Sequence, residues 1–310
     1  MAAGSPSRRA ALESLLLGAA ASVSRADPPA APSRIVDAHV HFYDPSRPQG
    51  VPWPAPRETA LYKPTYPQRY LENVRPFSVD GVVAVEASPW LEDNLWLLRV
   101  ADENPLILAV VGNIPPGHPD FRDALTRFSR HPLFRGVRIN AGSLPRTLEN
   151  AQALADLKLL AEKDLALDIL LSGPADFGAA ARLSAALPDL RMVLGHLPLD
   201  PPRNEAARGL RRFSGVYAKV SGVVRRVNGQ VPVESAFYKP TLDELWEVFG
   251  PERVIYASNW PACDLTAPYA KVFRVVRDYL ADKDQEMVER YFWKNAQAAY
   301  RWRPRKGGAG

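Results

Sequence analysis

The stretch Arg34-Ile35-Val36-Asp37-Ala38-His39-Val40-His41 decides how the rest of this chain is read. Taken as a strand, its period of two sends Asp37, His39 and His41 to one side and Val36, Ala38 and Val40 to the other. Seven comparable runs follow: Gly81 to Val85, Leu106 to Val111, Gly136 to Ile139, Leu165 to Leu171, Arg191 to Leu194, Gly215 to Val220 and Arg253 to Ala257. All are short, rich in Val, Ile and Leu, and almost continuously apolar, as strands of a parallel sheet covered on both faces must be.

Helix-like patterns separate the runs, among them Trp90 to Glu103, Phe121 to Arg130, Leu148 to Lys163 and Leu242 to Phe249. Two more, Pro268 to Leu280 and Gln285 to Tyr300, follow the last run. Eight strands alternating with helices predict a closed (β/α)8 TIM barrel, a single domain at this length. An open doubly wound sheet would need a glycine-rich phosphate turn after the first strand, and none is there. The chain therefore divides into a leader and linker over 1–33, a barrel over 34–302 and a basic tail over 303–310.

The net charge of +5 is concentrated at the ends. Arg8, Arg9 and Arg25 outweigh Glu13 and Asp27 in the leader, and Arg301, Arg303, Arg305 and Lys306 carry the tail, which leaves the body neutral. A neutral body is not an electrostatic nucleic-acid binder. Cys263 is the single cysteine, so neither an internal disulfide nor a cysteine metal cluster can form. Ser7-Arg8-Arg9 ahead of the alanine-rich stretch Ala10 to Val23 reads as a twin-arginine export signal, with a cytoplasmic protein carrying an inert leader as the alternative. No later stretch is apolar for long enough to span a membrane.

Two imidazoles on one strand face, at the strand end where barrel sites are built, mark His39 and His41 as candidate catalytic residues or ligands for one divalent metal such as zinc. His196 ends the sixth strand in the same relative place. His118 and His131 lie in Pro-flanked surface segments. The long insertion from Phe42 to about Gln68, dense in proline with Tyr43, Trp53, Tyr62 and Tyr66, follows the first strand directly and reads as an aromatic lid or as a stiff surface loop. Arg138 and Lys219, on the fourth and seventh strands, are candidates to grip an anionic group or stabilise an oxyanion, and equally to form structural ion pairs. Cys263, near the same rim, reads as a passive thiol.

Taken together, Val36-Asp-Ala-His-Val-His41, Gly136-Val-Arg138, Val193-Leu-Gly-His196, Val216-Tyr-Ala-Lys219-Val-Ser-Gly222 and Ser258-Asn-Trp-Pro261 resemble the amidohydrolase superfamily. The likeness is to its lactonase branch, which opens sugar-acid lactones and pyrone dicarboxylate. The resemblance implies a barrel in which the first-strand pair and the strand-six histidine surround a scissile carbonyl, completed by a strand-eight aspartate that deprotonates water and, in metal-dependent relatives, ligates the metal. Here that position holds Asn259, whose carboxamide cannot take a proton near neutral pH.

If hydrolysis survives, another carboxylate serves: Glu86 at the end of strand two first, with Asp264 and Asp168 as alternatives. The expected partner is a small molecule, anionic or carbohydrate-derived. Expected activities are opening of a cyclic ester, decarboxylation as in other members of the superfamily, or binding without turnover.

Overall fold

A computed structural model describes residue 1 and residues 31–140, 142, 144–173, 175–196 and 205–303. The twin-arginine motif and most of the basic tail lie outside these residues. Eight strands form one sheet in the order β1 to β8, all parallel: β1 Val36–Val40, β2 Gly81–Val85, β3 Ile107–Gly112, β4 Phe134–Asn140, β5 Ala166–Leu170, β6 Met192–Gly195, β7 Val216–Val220 and β8 Val254–Tyr256. A parallel bridge from Val40 to Trp260, with the His41 N–H on the Trp260 carbonyl at 2.9 Å, draws β8 back to β1. The predicted barrel is thus the observed one. No helix among the described residues is long and apolar enough to cross a membrane.

Burial falls into two layers. Outward-facing strand residues such as Val82, Ile107, Val137 and Leu167 join helix residues such as Leu97, Leu125 and Leu157 in one continuous core. In α3 (Phe121–Phe128) the buried positions Phe121, Ala124, Leu125 and Phe128 recur at three and four residues, one face of a helix. The second layer is the barrel interior, where Val36, Ala38, Val83, Val85, Ala109, Val111, Val193 and Ile255 meet Ala296, Ala299, Tyr300 and Trp302 from the C-terminus.

The C-terminus therefore plugs the end of the barrel opposite the strand ends that carry His41 and His196. Arg135 Nε donates to the Tyr300 carbonyl at 2.9 Å and Arg191 Nε to the Ala299 carbonyl at 2.8 Å, and both arginines pair with Asp164. Charge-assisted bonds of this kind contribute roughly 1.5–3 kcal/mol each.

The expected helix Leu242 to Phe249 begins earlier, at Ser235, and two other expected helical stretches are divided. The pattern Leu148 to Lys163 is broken at Asn150, which ends α4 (Leu144–Glu149) and caps α5 (Ala151–Glu162) by accepting the N–H groups of Gln152 and Ala153. The pattern Gln285 to Tyr300 contains a π turn over Arg290–Lys294, which separates two α-helical pieces.

Candidate active site

Strict alternation along the first strand does not hold. Asp37 pairs with Val82 and Val40 with Ala84, so three steps on β1 match two on β2 and the strand bulges. Val36 and Ala38 face the interior while Val40 joins the outer core. The bulge separates Asp37 from the histidines: its carboxylate turns to the outer layer, where Oδ2 accepts the Tyr70 hydroxyl at 2.9 Å and Oδ1 the Ser258 N–H at 2.9 Å. His39 and His41 remain on the inner side. His39 lies 4.8 Å from His41 and 4.9 Å from His196, ring centre to ring centre, so the three histidines singled out in the sequence meet at the barrel mouth.

Their hydrogen bonds assign protons. His41 Nδ1 faces two carbonyls, Val85 at 3.0 Å and Glu86 at 3.1 Å, and must carry the hydrogen because carbonyls only accept. Its Nε2 is then a lone pair, and His39 Nε2, 3.1 Å away, is the donor to it. His196 follows β6 with a left-handed φ of 52°. The Ser221 hydroxyl accepts the His196 backbone N–H at 3.1 Å and lies 3.3 Å from Nδ1. Since Ser221 is buried, its own proton is best satisfied on Nδ1, which leaves Nε2–H as the ring's donor.

All three rings are held neutral. Burial first, then the Arg138 charge, brings His41 and His196 down to about 3; burial and Lys219 hold His39 well below its ordinary value.

The charges around the histidines are paired. Lys219, fully buried, donates to Asp168 Oδ2 at 2.6 Å, and the Tyr300 hydroxyl lies 2.8 and 2.9 Å from the two carboxylate oxygens. This clamp joins the barrel wall to the C-terminal plug. It realises the ion-pair alternative for Lys219 and leaves Asp168 bound from two sides. Arg138 Nη1 meets Glu86 Oε1 at 3.4 Å, again a pair, although a looser one. Burial raises Glu86 above the usual carboxylate range against the pull of Arg138.

Asn259 stands after β8 with a φ of 61°, a left-handed conformation that asparagine tolerates better than most residues. Two zinc-bound imidazole nitrogens sit about 3.3 Å apart in a tetrahedral site, and the 3.1 Å between His39 Nε2 and His41 Nε2 approaches that bite. The rest of the set does not complete it. Asn259 brings no carboxylate, and His39 Nδ1, which a metal ligand would anchor to an acceptor, is buried without a partner among the described residues. Among those residues no three His, Cys, Asp or Glu side chains group so as to hold a metal ion. The three rings of the candidate metal set His39, His41 and His196 thus lie as neighbours, with a zinc-like spacing between the Nε2 atoms of the first two.

The Pro-rich insertion is built onto the mouth. The Tyr43–Thr65 bridge and the bond from the Tyr43 hydroxyl to the Leu61 carbonyl fix it, and Trp53 packs edge-on against His41 at 5.3 Å. Asp264, on the turn after Pro261, is exposed and contacts Cys263, whose thiol burial pushes well above its ordinary value. His118 and His131 pair with Asp120 and Asp102 and take no part in the histidine cluster. Ser221 and Tyr300 carried no sequence signal of their own role. Ser221 stood inside a quoted motif, whereas Tyr300 reaches Asp168 across 132 residues.

Fold and site together define a (β/α)8 barrel with a histidine-lined centre at the C-terminal ends of its strands, the place where barrels of this kind carry their chemistry. The chain belongs to the amidohydrolase family, whose profile matches residues 36–302. It is 27% identical over 243 residues to an L-fucono-1,5-lactonase of Burkholderia ambifaria, spanning 76% of this chain and 82% of that protein. It is 22% identical over 333 aligned positions to an L-rhamnono-gamma-lactonase of Scheffersomyces stipitis, spanning 86% and 98%. Among solved structures it is similar to an amidohydrolase from Burkholderia multivorans with bound zinc, at a TM-score of 0.76 and 20% identity, over 87% of this chain and 100% of that one. That last likeness bears on the fold.

Proposed function

We propose that this protein hydrolyses the ring ester of a sugar-acid lactone without a metal. The observation that carries the reading is the cluster of three neutral imidazoles with assigned tautomers beside the Glu86–Arg138 pair. Similarity to two sugar-acid lactonases supports the substrate class. His196 carries an Nε2–H that can donate to a carbonyl oxygen, a bound carbonyl competes with His41 Nε2 for the Nε2–H of His39, and a neutral imidazole donates without giving up its proton at neutral pH. Glu86, raised by burial, is the carboxylate best matched to accept a proton from water.

In this mechanism the water oxygen bonds to the carbonyl carbon while its proton passes to Glu86, and the oxyanion is held by the two imidazole donors. Collapse breaks the bond to the ring oxygen, which takes the proton back from Glu86 and leaves an open hydroxy acid. Arg138 holds the Glu86 carboxylate in place through the 3.4 Å contact.

Acid release from a panel of aldonolactones is the test. Turnover that His39→Ala abolishes supports the reading, and no turnover across the panel overturns it. Asn259 favours a second reading, a metabolite binder that lost its base. Calorimetric binding of a lactone without acid release, together with turnover gained in Asn259→Asp, is its signature.

A further inference from the structure

We propose that Asp37 is a positioning residue of this site, its carboxylate clamping the turn that carries Asn259 to the bulge that carries His39. The inference rests on the hydrolase reading for its activity readout only.

The β1–β8 seam lacks a regular ladder. β8 ends at Tyr256, and beyond it the main-chain links to β1 among the described residues are the Val40–Trp260 bridge and its His41 N–H bond. Upstream of that bridge the Asp37 side chain does what a strand carbonyl would do. Oδ1 accepts the Ser258 N–H at 2.9 Å and the His39 N–H at 3.3 Å, and Oδ2 accepts the Tyr70 hydroxyl at 2.9 Å. One buried group thus holds the backbone N–H of His39 and that of Ser258, the residue immediately before Asn259. The Ser258 hydroxyl continues the path by accepting the Trp260 N–H at 2.9 Å.

An asparagine would hold the two N–H groups only through a weaker, uncharged Oδ1, and its amide nitrogen could not accept the Tyr70 hydroxyl. The ionised form is retained although burial raises Asp37 to about 6, against bonds from Ser258, Tyr70 and His39 that lower it. Tyr70 on α1 (Pro67–Val74), Tyr269 on α9 (Tyr269–Tyr279), Tyr256, Tyr291 and Cys263 feel its charge, and Lys219 is the cation that responds to it. A group kept charged in an apolar layer costs stability, which is expected where position matters more than stability.

The test uses Asp37→Asn and Tyr70→Phe in the full chain. Asp37→Asn is expected to melt at or above the parent temperature at pH 8, because it no longer buries a charge. Its kcat falls roughly 10- to 100-fold, the scale of a misplaced catalytic group, while KM stays within about threefold.

Ring 15N resonances of His39 and His196 shift in Asp37→Asn. Tyr70→Phe removes the hydroxyl bond to Oδ2 and leaves the two N–H bonds to Oδ1, so it is expected to move the same ring resonances in the same direction by less. Parent-like kcat and unshifted ring resonances in Asp37→Asn overturn the proposal. If that variant fails to fold, the ring resonances of Tyr70→Phe decide, and unshifted rings there overturn it. If the parent turns over no lactone, the hydrolase reading falls alone and the ring resonances still decide the clamp.

Discussion

Breaking the Lys219–Asp168 pair by Asp168→Asn leaves a cation with no exposed surface and strips the acceptor charge from the Tyr300 hydroxyl. Lys219 is fully buried and the Asp168 side chain is 5% exposed, so solvent screens almost none of the interaction. Removing one partner of such a pair costs about 3–5 kcal/mol, which for a domain of this size corresponds to a fall in Tm of roughly 6–10 °C. Lys219→Met alone is expected to cost a similar amount, because the carboxylate is then buried with only Tyr300 donating to it.

The double variant Asp168→Asn/Lys219→Met removes both charges and should cost much less than the two single changes together, with a coupling of about 2–3 kcal/mol. Urea unfolding with a common m-value measures all three. Single changes costing under about 1 kcal/mol, or a double equal to the sum of the singles, refute the view that this pair anchors the C-terminal plug.

The pH–rate profile should show no histidine limb between pH 5 and 8, since His41 and His196 stay neutral down to about 3. An acid limb is expected from Glu86: raised by burial, it must be ionised to accept a proton, so activity is present above its pKa and lost below it. Glu86→Gln is expected to lower kcat by about 10²–10⁴-fold across the profile, and activity unchanged in that variant would move the base elsewhere. Ser221→Ala should release His196 into a mixture of tautomers, read in the ring 15N spectrum, and lower kcat by about tenfold, the equivalent of 1.4 kcal/mol. Dialysis against a chelator should leave the rate unchanged because the described donor set is incomplete; loss restored by zinc would show that His39 and His41 recruit a metal.

The sequence by itself determined the eight strands, their order and the meeting of His39, His41 and His196, because buried parallel strands are read from apolar runs and barrel sites gather at strand ends. It also located Asn259 where a carboxylate was expected and the loop whose Trp53 covers His41. It could not reveal that Asp37 faces away from the histidines. A one-residue bulge inverts alternation, and nothing in Val-Asp-Ala-His marks where pairing with β2 slips.

The partners of the charged residues were equally hidden. Arg138 could be read as an anion grip or an ion pair until folding set it beside Glu86. Lys219 was assigned by Asp168, 51 residues distant, and by Tyr300 from the far end of the chain. Strand identity is a local property of composition and period. Charge pairing and proton placement depend on distances in space, which only the closed barrel supplies.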